Sequence, residues 1–226
     1  MSVLILQLFP DLLDVNGDAQ NALVLAQRLR WSGIDAEIVT EPTTTPDLIV
    51  VGSGVDTGLA EQASRLRSVA ARLIEWVDGG VGLLAVGTGF ELLSTRVGEL
   101  DGIGVFDGVA EPLAARATTD LVVDSAFGRL VGFENHARGW TAGARPTPLG
   151  TVVTGHGNDG RTEGARTGNA WGTHLHGPVL AKNPAFADAI LTSVIVGYAP
   201  DGDSIRFADA AAEGARNATL AKLKLS

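Results

Sequence analysis

The segment VGLLAVGTGFELL, Val81 to Leu93, opens with an apolar run that carries no polar residue as far as Val86. Such a run reads as a strand buried on both faces. Gly87-Thr88-Gly89 follows at once, and Phe90, Leu92 and Leu93 then begin a helical pattern. Strand, tight glycine turn and helix make up the layout of a nucleophile elbow. That turn lifts one side chain clear of the sheet and aims the N–H groups of the helix start at whatever binds there.

Outward from this segment the chain alternates strands with helices. Val3 to Leu8 is expected to be a first buried strand, followed by a turn at Asp14, Asn16, Gly17 and Asp18. Ala19 to Trp31 has apolar residues at Ala22, Leu23, Leu25, Ala26 and Leu29, close to helical spacing. Ala36 to Val39 and Asp47 to Val51 read as further strands, and Leu59 to Val77 as one long helix. Leu121 to Val123 and Gly128 to Phe133 read as a hairpin, Gly155 to Gly172 as loop, and Pro184 to Val196 and Asp201 to Ser226 as helices. The alternation predicts an α/β fold with a mainly parallel sheet and helices on both faces. The turn at Gly87 should then lie at the carboxyl end of a central strand, where open α/β sheets bind ligands. No linker divides the chain, so a single domain over residues 1–226 is expected.

A net charge of −9 argues against nucleic acid or an anionic membrane as partner. The chain has no cysteine, hence no disulfide framework. Its first residues lack a basic leader region, and no apolar run approaches the roughly 20 residues that span a bilayer. A cytoplasmic protein is expected. The four histidines fall in no metal-binding spacing, and no GK[ST] follows the glycine turn, so neither a metal nor a phosphate loop is predicted.

Five blocks together resemble one family: the elbow itself, PDLLDVNGDAQN (Pro10 to Asn21), ELDGIGVFD (Glu99 to Asp107), FGRLVGFENHARG (Phe127 to Gly139) and GTHLHGPVLAKNP (Gly172 to Pro184). The chain is similar to the class I, triad-type glutamine amidotransferases of the CobB/CobQ-like branch. Within them it resembles the small glutaminase subunit of lipid II isoglutaminyl synthase. The resemblance implies a class I amidotransferase (flavodoxin-like) fold, glutamine as substrate and no cofactor. It also implies a Mur-ligase-like, ATP-dependent partner subunit that amidates the D-glutamate of the lipid II stem peptide.

Residue by residue, the resemblance places the base at His176 and a glutamine-holding arginine at Arg116. Oxyanion N–H donors fall in the loop at Gly54 and in the turn at Thr88. An acid two residues after the base is missing, since Pro178 stands there; the resembled branch also has proline in that column, which leaves a dyad. Two columns depart from the pattern. The family nucleophile is a cysteine where this chain has Gly87, and the family glutamine that meets the substrate is Glu91 here. Glycine supplies nothing to attack an amide. A carboxylate at Glu91 would repel the substrate's own carboxylate, unless Glu91 is an ordinary exposed helix residue. Arg116 could equally be an exposed connector residue, and Gly52-Ser53-Gly54 an ordinary turn. His174 is expected to pack or to meet solvent. Thr88 is the hydroxyl at the elbow itself, but it would need a base within reach. Two functions follow: an amidotransferase-like enzyme subunit whose glutamine hydrolysis is lost or very weak, or a non-catalytic scaffold for the ligase subunit.

Overall fold

The computed structural model describes residues 2–225; Ser226, the end of the expected tail helix, lies outside them. In chain order the elements are β1 (Val3–Leu8), α1 (Gln20–Trp31), β2 (Ala36–Val39), β3 (Leu48–Val51), a 3-10 turn (Asp56–Gly58), α2 (Leu59–Arg67), α3 (Ala70–Asp78), β4 (Gly82–Val86), α4 (Thr88–Leu92), β5 (Ser94–Val97), β6 (Leu100–Asp101), β7 (Phe106–Ser125), β8 (Gly128–Ala142), β9 (Gly150–Thr154), β10 (Thr162–Glu163), β11 (Ala165–Thr167), β12 (Ala170–Thr173), α5 (Val179–Lys182), α6 (Pro184–Val194) and α7 (Asp203–Lys222).

The main sheet has the order β11-β12-β4-β3-β1-β2, and every pair in it is parallel except the edge strand β11. Its inner strands β3 and β4 carry no polar residue and are buried along their whole length because both faces are covered. Alternate residues go opposite ways. Ile5, Leu48, Val50, Leu84 and Val86 pack with Leu25, Leu29, Phe186 and Ile190 of α1 and α6. Leu6, Leu8, Ile49, Val51, Leu83 and Ala85 pack with Ala63, Leu66, Leu73 and Trp76 of α2 and α3. The mainly parallel sheet with helices on both faces is therefore present, and β4 lies inside it between β12 and β3.

A second sheet was not legible in the sequence. It has the order β10-β9-β7-β5-β6, with β8 paired to β7. Its backbone is the β7–β8 hairpin, far longer than the short hairpin predicted. Strand β7 includes Val109 to Arg116, a stretch whose sequence shows neither a helical nor an alternating pattern. Its register with β8 shifts between Pro112 and Ala117. Proline cannot donate to a ladder, and an irregularity of this kind re-aims nearby side chains. Arg116 sits in the irregular stretch. Two other expectations are corrected. The long helix over Leu59 to Val77 is two helices, α2 and α3, and the supposed loop from Gly155 to Gly172 contains β10 and β11.

Candidate functional site at the Gly87 turn

Gly87 joins β4 to α4 with φ 55° and ψ −125°. This positive φ strains any residue with a side chain. The space is also taken: a Cβ built on Gly87 would lie 2.5 Å from Ser53 Oγ, 2.8 Å from Ser53 Cβ and 2.8 Å from His176 Cε1. Ser53 follows β3 and His176 follows β12, the two strands that flank β4, so both arrive at the carboxyl ends of the sheet. The space beside His176 that a side chain on residue 87 would take is thus filled largely by Ser53.

His176 is fully buried. Its backbone exchanges N–H and C=O with Phe133 of β8. Its Nδ1 lies 2.9 Å and 3.0 Å from the two carboxylate oxygens of Asp18, and 3.5 Å from Asn16 Nδ2. A ring nitrogen facing a carboxylate carries the proton, which leaves Nε2 as the acceptor. That Nε2 is buried without a hydrogen-bond partner among the described residues. Asp18 completes a base–acid pair that sequence reasoning missed. The acid comes from the loop after β1, where it read as a turn residue, and not from the column held by Pro178. Burial pushes the Asp18 carboxyl up, against the pull of His176.

Thr88 is held away from the base. Its Oγ1 accepts the Gly54 N–H at 2.7 Å and donates to Gln62 Oε1 at 3.1 Å. The Thr88 N–H donates to Ser53 Oγ at 3.2 Å. Both expected oxyanion donors, Gly54 and Thr88, therefore point at side-chain oxygens.

The turn opens on a cavity of about 400 Å³ lined by Asn16, Ser53, Asp56, Arg116, Asn135 and Arg138, among others. Arg116 donates to Asn135 Oδ1 at 3.1 Å and pairs with Asp56. Arg138 Nη2 reaches the other Asp56 oxygen at 2.5 Å. Burial alone would lift the Asp56 carboxyl, but the Arg138 and then the Arg116 guanidinium hold it below the usual range.

Glu91 is neither exposed nor part of the cavity lining. It is fully buried, its Oε2 accepts from Arg138 Nε at 2.5 Å, and its Oε1 lies 3.6 Å from His174 Nε2. His174 Nδ1 lies 3.6 Å from Glu163 Oε2. The chain of charge runs from Asp56 through Arg138, Glu91 and His174 to Glu163. Burial alone would neutralise His174, but Glu163 and then Glu91 raise it to about 9. His174 therefore packs, as one of the two expectations had it, and does not meet solvent; the two carboxylates beside it favour the imidazolium. His136, stacked on it at 4.1 Å, is lowered by burial and by that charge.

Glu91, His136 and His174 bring one ligand atom each within 4.8 Å of one another. The two rings lie only 23° from parallel, so their in-plane lone pairs do not converge, and Arg138 already engages Glu91. A proton on His174 accounts for the cluster better than a metal ion. A pH dependence follows. Because the folded value of His174 lies above its unfolded value near 6.5, its stabilisation is complete below pH 6.5 and is lost as pH rises through about 9. Thermal melts of the chain should fall across this window, and those of His174→Gln should fall less; parallel profiles for the two would exclude a charged His174.

The CobB/CobQ-like glutamine amidotransferase domain matches residues 10–184. The chain belongs to that family. It is 34% identical over 195 residues to subunit GatD of lipid II isoglutaminyl synthase (glutamine-hydrolyzing) from Staphylococcus aureus, covering 80% of this chain and 79% of that subunit. It is 26% identical to the GatD subunit from Streptococcus pneumoniae, covering 84% of this chain and 80% of that one. A crystal structure of a glutamine amidotransferase superposes with a TM-score of 0.62 at 17% identity, over 85% of this chain and 99% of the other. A glutamine amidotransferase from Thermotoga maritima gives 0.57 at 16%, over 96% of this chain and 93% of that one. At such identities these structures bear on the fold alone, a class I amidotransferase fold. Among the residues that line or support this family member's site, sequence reasoning missed Asp18, Asp56 and Arg138. Asp18 lies in the block Pro10 to Asn21 and Arg138 in the block Phe127 to Gly139, so the blocks marked the regions without assigning roles.

Proposed function

We propose that this chain is a GatD-like subunit of a lipid II amidating complex whose own glutamine hydrolysis is lost or very weak. The observation that carries the reading is Gly87, a glycine at the end of β4 in a backbone conformation that would strain any side chain, with a buried His176–Asp18 pair beside it and no thiol in the chain. The likeness to the two GatD subunits supports lipid II amidation as the setting and a Mur-ligase-like, ATP-dependent subunit as partner, in the cytoplasm. The partner would then draw on free ammonia. In this reading the arginine pair over Asp56 is the remnant of the glutamine seat. A scaffold or regulatory role is favoured to the extent that Asp56 already neutralises both Arg116 and Arg138.

The test is glutamate release from glutamine by the purified chain, alone and with its ligase partner. Active enzymes turn over at about 1–1,000 per second. The expected result is release at least about a thousandfold below the lower end of that range, while the complex amidates with ammonium chloride. Release at an ordinary enzyme rate would overturn the proposal.

A further inference from the structure

Ser53 occupies the space that a side chain on residue 87 would need. Its Oγ and the Cε1 of His176 lie 2.5 Å and 2.8 Å from the same point. A side chain at position 87 and one at position 53 exclude each other, so glycine at the elbow is what allows serine in the neighbouring loop. The base beside it is intact. His176 Nδ1 is held by Asp18, and Nε2, bonded to that same Cε1, is buried and unpartnered. Ser53 lines the 400 Å³ cavity, so an incoming group can reach it. Its hydroxyl proton is also free to leave. The Thr88 N–H donates to Ser53 Oγ, and among the described residues the only other side chain within hydrogen-bonding distance of it is Thr88 Oγ1 at 3.5 Å. Thr88 gives its own proton to Gln62.

We propose that Ser53 is a catalytic nucleophile, with His176 as its base and Asp18 orienting that base, acting on small polar acyl esters. No hydrogen bond joins Ser53 to His176; nucleophile–base contacts of this kind are often loose until an acyl group seats. In the first step the Ser53 Oγ–H proton passes to His176 Nε2 as Oγ bonds to the carbonyl carbon. The carbon–oxygen bond to the leaving alcohol then breaks, and the alcohol departs with the proton from His176. Water, deprotonated by the same nitrogen, hydrolyses the ester on Ser53 and restores the hydroxyl. An alkoxide leaves more readily than an amide nitrogen, which suits a serine in this position to esters rather than to glutamine. Arg116, Asn135 and Asp56 across the cavity favour a polar acyl group.

A fluorophosphonate tests this directly, since it reacts with an activated serine by losing fluoride. Incubation with the full chain should give a single adduct, mapped to Ser53, absent in Ser53→Ala and at least about 100-fold slower in His176→Gln. The lack of cysteine allows a second measurement. In Ser53→Cys the only thiol is the introduced one, and a free thiol near pKa 8.5 is largely unreactive at pH 6. Iodoacetamide should alkylate it at pH 6 at least about tenfold faster than it alkylates Ser53→Cys combined with His176→Gln. No adduct on Ser53, an adduct elsewhere, or equal alkylation rates would each overturn the proposal. The loss of glutaminase stands or falls separately. A Ser53 adduct together with glutamate release that Ser53→Ala abolishes would support Ser53 and overturn that loss. Neither adduct nor release would do the reverse.

Discussion

Gly87→Cys alone is expected to leave glutamine hydrolysis at the level of the unaltered chain, whereas Gly87→Cys with Ser53→Gly should raise it by at least about a thousandfold. A catalytic nucleophile contributes about a millionfold in turnover where it has been removed from an intact site. A partial return is the conservative expectation for a site rebuilt in two steps. The single substitution fails for steric reasons. Its Cβ would sit 2.5 Å from Ser53 Oγ and 2.8 Å from Ser53 Cβ, and rotating the hydroxyl relieves only the first contact. Ser53→Gly removes both and leaves the 2.8 Å contact with His176 Cε1, which a small shift of the ring must relieve. The rebuilt thiol would stand against His176, whose Nε2 is free and whose Nδ1 is held by Asp18. Glutamate release by the two variants decides the matter. A single variant as active as a restored double variant would show that Ser53 is no obstacle, and a double variant no more active than the unaltered chain would show that Ser53 is not what blocks the thiol. Glu91→Gln, which the sequence alone suggests as a companion change, should not be needed, because Glu91 lies behind Arg138 and not in the cavity.

Glu91→Ala is expected to destabilise the chain by about 3–5 kcal/mol, the usual consequence of removing one partner from a buried ion pair. For a chain of 226 residues that corresponds to a fall in Tm on the order of 10 °C. The reason is the environment of the charges left behind. Arg138 is nearly buried and His174 fully so, and each faces Glu91. Without it two cations share a dry site, with Glu163 and Asp56 as their remaining counter-charges. An internal control is the Arg96–Glu111 pair on the surface, at 2.7 Å. Exposed pairs contribute about 0–1 kcal/mol, so Glu111→Ala should move the melt little. Similar losses for the two substitutions would show that the Glu91 chain of charge contributes no more than a surface pair.

The parts of the fold visible in the sequence are those in which one physical pattern dominates. LIVV and GLLAV are buried on two faces and therefore read as uninterrupted apolar runs, and VLILQL departs from that only at Gln7. The second sheet has no such signal. Strand β7 carries Glu111, Pro112, Arg116 and Asp120 on a half-exposed ribbon, and it forms because β8 and β9 pair with it rather than because its own residues prefer a strand. The site divides in the same way. Gly87 and His176 were found through the motif, because each sits next to a recognisable strand end. Asp18 was hidden because its partner is 158 positions away. Arg138 and Glu91 were unreadable as a pair for the same reason, at a separation of 47. The helix pattern around Glu91 says which residues face inward, but not that a cation waits there.

The order in which the ribosome delivers these parts matters. Asn16 and Asp18 meet a histidine that emerges 160 and 158 residues after them, and β12, which delivers it, is an inner strand of the main sheet. Until that strand appears, one hydrogen-bonding edge of β4 is open, on a strand whose every residue is destined for burial. An unpaired apolar edge is a template for pairing with other chains. About three-quarters of the 226 residues are therefore made before β12 covers that edge, and over this span β4 is open to mispairing.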